Sequence, residues 1–325
     1  MRWTAPTDRR AAVDRTGRRP DSGSFSTVPD TDRLCLLQVH AHPDDEASKG
    51  AGTTAKYAAE GVRNVLVCCT GGEAGDILNP AVDTPEIRAN LFEVRMTELR
   101  NSVDALGYAS LHMLGYHDSG MPDTETNARA DNFANAPLDE AVERFVRIIR
   151  AERPQVIITY RDEQNFYPHP DHIRVHEISG PAFDAAGDPD AFPDAGEPWQ
   201  PSKLYYVSWS IARVKALHQA YLDRGEESAY TSWFERGFDT NRKDEFTTLI
   251  DVGDYLHKRR ESLLAHRTQV DPEGHWMRLP DDVIREVFPW EEFTLVRSLV
   301  DNGVPEGEFE DDLFAGLRAG AVDRA

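Results

Sequence analysis

From Leu34 to Tyr160 short apolar runs alternate with longer amphipathic stretches: LCLLQV, then 48–60, NVLVCCT, 86–106, SLHML, 137–152 and QVIITY. The short runs have the length and the apolar, partly β-branched composition of buried strands. The stretch 137–152 places Leu138, Ala141, Val142, Phe145, Val146 and Ile149 at helical three- and four-residue steps, and Pro154 marks its end. Strands that alternate with helices pair in parallel through helical crossovers, so the pattern predicts βαβ units and an α/β fold with a mostly parallel sheet flanked by helices. A ligand site in such a fold forms beyond the carboxyl ends of the strands.

Residues 1–33 mix Arg and Asp with Pro, Ser, Gly and Thr and have no apolar period, which predicts a disordered N-terminal extension. After Tyr160 the sequence predicts a loop, a helix near 171–185, a Pro/Gly/Asp-rich connection to 201, and strands at KLYYVSW and FTTLIDV. A helix at 253–267 follows, and PEGEFEDD reads as a solvated acidic segment. The expected organisation is a single α/β domain over 34–317, elaborated C-terminally from about residue 200, with a flexible tail at 318–325.

Charge narrows the partners. Asp and Glu number 57 against 36 Lys and Arg, a formal charge of -21, which opposes binding to nucleic acid or to an anionic membrane. The three cysteines, Cys35, Cys68 and Cys69, fall inside apolar runs, so neither a disulfide framework nor a thiolate metal site is expected. No apolar run approaches the roughly 18 residues of a membrane span, and the N-terminus lacks the apolar core of a signal peptide. A cytoplasmic location is the expectation.

The chemistry concentrates in two clusters. HAHPDDE, His40 to Glu46, lies directly behind LCLLQV, and YPHPDH, Tyr167 to His172, lies behind QVIITY. Loops at the same edge of one sheet can converge on one ion, and Pro43 and Pro170 favour a turn at each. A catalytic zinc takes three ligands from His and carboxylate and leaves a position for water, and His42, Asp45 and His172 supply that set. Two neutral imidazoles and one carboxylate leave a net positive centre that acidifies bound water. Asp44 then remains as base. Adjacent residues in a turn point apart, so Asp44 and Asp45 do not both ligate one ion, and the residues alone leave open which of them does. His169 can stabilise an oxyanion or protonate a leaving amine. Asp171 suits holding a histidine ring in one tautomer, and Tyr167 can reach the oxyanion. His40 and Glu46 take no catalytic part, Glu46 orienting the loop or capping the following helix. A single loop His or Asp is ordinarily a cap or turn residue, but two dense clusters at matching strand ends are costly unless used. Fe2+ or Co2+ would accept similar ligands.

AHPDDE paired with HPDH resembles the LmbE-like, GlcNAc-PI de-N-acetylase-like, zinc amidohydrolases. Within that family HAHPDDEASKG, TGGEAGDILNP, HDSGMP, YPHPDHIRVH, FPDAGEPW, SKLYYV, AHRTQVDPEG, PWEEFTLVRS and DDLFAG resemble the mycothiol S-conjugate amidase branch over roughly 34–317. The resemblance implies a Rossmann-like fold and one Zn2+ per chain on His42, Asp45 and His172. It further implies Asp44 as general base, His169 as acid or charge stabiliser, and Asp171 and Tyr167 in support. By the same route Asp76, Arg95 and Asp118 hold sugar and inositol hydroxyls, and Lys49 meets the acyl-cysteine part of a conjugate. Without the resemblance, Arg95 is a solvated helix face, Asp76 and Asp118 are turn residues, and Lys49 is a solvated lysine opening a helix.

Two departures touch the pocket lining. Ala74 stands where such amidases have Arg, and Asn165 and Phe166 replace a glycine pair, with Phe166 adding stacking surface for an altered S-linked group. The implied activity is hydrolysis of the amide between glucosaminyl-inositol and the S-substituted cysteine of a mycothiol conjugate, in detoxification or in lincosamide-type biosynthesis. The alternatives are a de-N-acetylase of N-acetylglucosaminyl-inositol and a non-catalytic sugar- or thiol-binding module.

Overall fold

The computed structural model of the chain describes residues 33–162, 168–235 and 245–318. The expected extension lies outside them except for Arg33, as does most of the expected tail; Asn165, Phe166 and Tyr167 also fall outside. Strands β1 Cys35–His40, β2 Arg63–Thr70, β3 Ser110–Tyr116, β4 Val156–Thr159 and β5 Lys203–Ser208 form a parallel sheet. Strands β6 Thr248–Asp251 and β7 Trp290–Ser298 extend it antiparallel, in the order β3-β2-β1-β4-β5-β7-β6. This is the expected α/β architecture, a mostly parallel sheet flanked by helices.

Alternation along the strands sends side chains to two cores. Leu37, Val39, Val65, Val67 and Ile157 pack on one face with Phe145 and Ile149 of α5 Leu138–Glu152 and Val175 and Ile178 of α6 Pro170–Gly187. On the other face Leu66 and Cys68 meet Met96 and Leu99 of α4 Leu91–Leu106, while Leu36 and Ile158 share a core with Tyr57 of α2 Ala51–Ala59 and Leu256 of α9 Leu256–Ala265. Short helices α1 Asp45–Ser48, α3 Pro85–Ala89 and α8 Thr231–Glu235, the longer α7 Ile211–Asp223, and α10 His275–Arg278 and α11 Asp281–Val287 complete the described set. Among the described residues no helix is long and apolar enough to cross a membrane.

Three local expectations change. The helix expected over 48–60 breaks at Gly50, whose φ of 94° suits glycine alone, so Lys49 caps the C-terminal end of α1 and does not open a helix. Leu138 of the α5 stripe is 40% exposed, while its other apolar positions are buried. The PEGEFEDD segment is not wholly solvated: Glu310 is buried, accepting from Lys203 Nζ at 2.8 Å, Tyr205 Oη at 2.7 Å and Thr248 Oγ1 at 2.8 Å. Strand β7 and helix α7 are elements the periodicity did not predict. Each of the consecutive glutamates that hide β7 is buried and satisfied, Glu291 by the N–H groups of Gly52 and Thr53 and Glu292 by Ser210 and Arg213.

Candidate metal centre

Strand order reverses between β1 and β4, and a crevice opens beyond the carboxyl ends of strands at such a point. The loop after β1 and the N-terminus of α6, reached from β4, meet there. His169 is the N-cap of α6, its Nδ1 accepting the Asp171 N–H at 3.2 Å, and Pro170 begins the helix, so Asp171 and His172 stand in its first turn. The His42 ring centroid lies 4.4 Å from that of His169 and 5.4 Å from that of His172.

Two sets of side chains could hold a metal, His42 with Asp45 and His172, and His42 with Asp118, His169 and Asp171; within each the ligand atoms lie within 4.8 Å of one another. His42 belongs to both. Its Nδ1 is 3.6 Å from Asp45 Oδ2, and its Nε2 is 3.1 Å from Asp171 Oδ2 and 3.6 Å from Asp118 Oδ1. A proton on Nε2, facing two carboxylates, leaves the Nδ1 lone pair toward Asp45 and His172.

The second set is already bound up internally. Asp171 accepts the Ser119 N–H at 3.0 Å and the Ser119 hydroxyl, and Asp118 accepts from Gly120 N at 2.8 Å and Ala74 N at 3.2 Å. The first set is the more suitable cradle for an ion. His172 Nε2 lies 3.4 Å from Asp45 Oδ2, and burial pulls the His172 imidazole down to about 4, which keeps it a neutral donor.

Charge favours a dication. Lys49 pairs with Asp45 and Arg95 with Asp44, while Asp118 and Asp171 face His42, an excess of negative charge when the histidines are neutral. Burial opposes a charge on His42, but the hydrogen-bonding carboxylates of Asp118, Asp171 and Asp45 outweigh it and hold the imidazole well above its ordinary value. Burial likewise opposes charge on Asp45, and Lys49 and His172 overcome it, holding this carboxyl well below the usual range. Burial pushes the Asp44 carboxyl up, with Arg95 countering, and lowers His169, with His42 adding to that effect. A divalent ion fits this donor set.

Asp44 and Asp45 point apart. Asp45 turns to the histidines, while Asp44 Oδ2 accepts from Arg95 Nη2 at 3.1 Å. The φ of Asp44 is 117°, a region that L-residues seldom occupy and that costs on the order of 1–3 kcal/mol. Its N–H donates to Glu46 Oε2 at 2.9 Å, and Arg95 Nη2 also donates to the preceding carbonyl of Pro43, so neighbours on both sides hold the turn. Arg95 is 3% exposed and donates from Nη1 to Gly72 O at 2.6 Å; it is no solvated helix face. Gly72 has φ 67°, and a Cβ there would overlap the Arg95 guanidinium.

The remaining sequence candidates separate. Lys49 donates to Asp45 Oδ1 at 2.5 Å, so its ammonium sits on a candidate ligand. Asp118 lies inside the cluster beside His42, whereas Asp76 is exposed on the loop after β2, its carbonyl accepting from Gln269 Nε2 at 3.1 Å. Phe166 and Tyr167 lie outside the described residues. His40 is buried, within 2.9 Å of the Tyr160 hydroxyl. Sequence reasoning missed Ser119, which clamps Asp171 from HDSGM, and the segment after α9. There His266 reaches Glu46 at 2.5 Å and Thr268 donates to both oxygens of Glu98. The signal for these was AHRTQVDPEG, whose polar side chains follow directly on an amphipathic helix.

Known proteins resemble this chain in sequence and in fold. Residues 37–183 match the family model for PIG-L, GlcNAc-PI de-N-acetylase. A mycothiol S-conjugate amidase of Streptomyces coelicolor is 46% identical over 298 residues, 90% of this chain and 100% of that one. The chain belongs to the PIG-L family. A second relative, the 1D-myo-inositol 2-acetamido-2-deoxy-alpha-D-glucopyranoside deacetylase of Geodermatophilus obscurus, is 39% identical over 290 residues, 87% of this chain and 97% of its own length. The N,N'-diacetylchitobiose deacetylase of Pyrococcus horikoshii shares the fold with a TM-score of 0.57 at 18% identity, over 82% of this chain and 85% of that one. A conserved protein of Thermus thermophilus, TT1542, does so with a TM-score of 0.54 at 22% identity, over 85% of this chain and 99% of that one. As a PIG-L member the chain is a hydrolase of amide C–N bonds.

Proposed function

We propose that this PIG-L chain is a metal-dependent mycothiol S-conjugate amidase, cleaving the amide between glucosaminyl-inositol and the S-substituted cysteine. The observation that carries the reaction class is the convergence of His42, Asp45 and His172 from two loops at the switch point of the sheet. The choice of substrate is supported by the 46% identity to the Streptomyces coelicolor amidase along that protein's whole length.

One Zn2+ per chain, or Fe2+ or Co2+, held by those three residues would supply Lewis acidity for the amide carbonyl and its attacking water. Asp44 acts as the general base: held by Arg95 in its strained turn, it takes the water's proton on a carboxyl raised by burial. His169 accepts the Asp171 N–H on Nδ1, so its neutral tautomer carries the proton on Nε2, where it supports the developing negative charge or is handed to the leaving amine. Asp171 holds the His42 ring in orientation, itself fixed by Ser119. Asp118 and Asp76 accept sugar and inositol hydroxyls, and Arg95 acts through Asp44. Tyr167 is assigned to oxyanion support and Phe166 to selectivity for the S-linked group from the sequence alone. Lys49 moderates the charge on Asp45 and presents its alkyl stem toward the acyl-cysteine. Detoxification and specialised-metabolite biosynthesis both use such a cleavage.

A second reading, de-N-acetylation of N-acetylglucosaminyl-inositol on the same centre, is supported by the 39% identical deacetylase. A mass-spectrometric comparison of kcat/KM for a mycothiol S-conjugate and for N-acetylglucosaminyl-inositol, on metal-loaded protein, decides between them. Preference for the conjugate is expected. Preference for the acetyl sugar overturns the amidase, and no turnover of either revives the non-catalytic binding module.

A further inference from the structure

The C-terminal elaboration encloses a second polar feature that the hydrolytic site does not use. A cavity of about 40 Å³, room for about three waters or one carboxylate-sized group, is lined by Trp209, Arg213, Arg259, Trp276, Trp290 and Glu291 among others. Arg213 reaches it from α7 and Arg259 from α9. Each guanidinium lies against an indole, Arg213 4.8 Å from the Trp209 ring centroid and Arg259 5.6 Å from that of Trp276, and the two indoles stand edge to face 6.1 Å apart.

The two arginines are not equally satisfied. Arg213 donates from Nη1 to Glu292 Oε2 at 3.1 Å. Among the described residues Arg259 makes no hydrogen bond and no ion pair, and its Nε, like that of Arg213, is buried without a partner. Glu291, across the cavity, spends both carboxylate oxygens on the N–H groups of Gly52 at 3.1 Å and Thr53 at 2.8 Å. Asp281 is taken by Arg260 at 2.9 Å. Burial and the neighbouring Arg213 charge pull the Arg259 guanidinium down to about 10, with the Glu291 carboxylate across the cavity only partly countering them. A buried N–H left without an acceptor, as at Arg259 Nε, is costly, and bidentate oxyanions match the geometry of a guanidinium best.

We propose that this cavity takes the carboxylate of a small anion, with Arg259 as its principal donor, and that the flat apolar body carrying the carboxylate lies at the cavity mouth against the Trp209, Trp276 and Trp290 rings. The carboxylate completes the donor set of Arg259, and the rings supply stacking surface. Trp276 also packs against Ala47, Leu263 and Val270, so the cavity borders the segment that carries Asp45. The anion is therefore either part of the group carried by the hydrolysed substrate or a separate small molecule.

Three tryptophans in the wall make the site visible by fluorescence. Benzoate is the probe, and benzyl alcohol, with the same ring and no charge, is the control. Benzoate is expected to quench wild-type emission saturably, with Kd at least tenfold lower than that of benzyl alcohol. Arg259→Met is expected to weaken benzoate at least tenfold while unfolding at the same or a higher temperature, because it removes a half-buried cation that makes no hydrogen bond. A purely structural Arg259 would instead lower that temperature. Equal binding of benzoate and benzyl alcohol by the wild type, or no saturable quenching by benzoate, overturns the proposal whether or not the variant folds. The readout needs no turnover, so it is independent of the substrate assigned above. Given binding, competition by benzoate against a turned-over substrate assigns the anion to that substrate's own group, and unaffected turnover assigns it to a separate molecule.

Discussion

His266 Nε2 lies 2.5 Å from Glu46 Oε1, although 220 positions separate the two along the chain. Both side chains are buried, and Ser102 Oγ donates to the same glutamate oxygen at 2.5 Å. The other oxygen of Glu46 holds the N–H of Asp44, so the end of α9 fixes, through one carboxylate, the turn that presents the candidate base. Removing one partner of a buried pair leaves the other uncompensated, so His266→Ala is expected to cost about 3–5 kcal/mol of stability, read from urea unfolding.

The same pair has a pH signature. Burial opposes charge on both groups, but each outweighs it for the other: Glu46 raises His266, and His266 lowers Glu46. A raised histidine contributes stability that is complete below its unfolded value of about 6.5 and is lost as pH rises through its folded value. A lowered glutamate contributes stability above about 4.3 that is lost as pH falls through its folded value. The difference in unfolding free energy between wild type and His266→Gln should therefore peak between about pH 4.3 and 6.5 and shrink on either side. A difference independent of pH would rule out the charged pair.

Arg95 is expected to act on turnover through Asp44. Arg95→Lys cannot reproduce the fork shared by Gly72 O, Pro43 O and Asp44 Oδ2, and should lower kcat by about 10–100-fold while metal content stays unchanged. Wild-type kcat in that variant would return Arg95 to a structural filler.

Asp171 is expected to act on the metal. Loss of the carboxylate facing His42 Nε2 at 3.1 Å in Asp171→Asn should weaken metal affinity by about 10–100-fold in chelator competition. Unchanged affinity would mean that the ring needs no such partner.

Much of this was legible in the chain because burial on both faces of a parallel sheet leaves continuous apolar runs, as in β1, β2 and β4, while the edge strand β3 is only partly buried and its run is correspondingly weaker. The two clusters were legible because Pro43 and Pro170 interrupt ligand-rich stretches at matching strand ends. What stayed hidden depends on distant partners. Glu291 and Glu292 interrupt the apolar pattern of β7 and find their partners only in helix α2 and Arg213, and Glu310 reads as part of a solvated acidic segment until Lys203 is beside it. Arg95 has a plain amphipathic context, and only the turn at Asp44 explains its burial. The placement of Lys49 on Asp45 follows from the break at Gly50, which no helical periodicity registers.

The division of labour between adjacent aspartates is the centre of this account, and Asp44→Asn tests it most directly when metal content and kcat are measured on the same preparation. The variant keeps an acceptor for Arg95 but removes the basic carboxylate. It should retain one metal ion per chain and lose about 10²–10⁴-fold in kcat. Loss of the ion together with turnover, or a kcat close to that of the wild type, would contradict the assignment of Asp45 to the metal and Asp44 to the water.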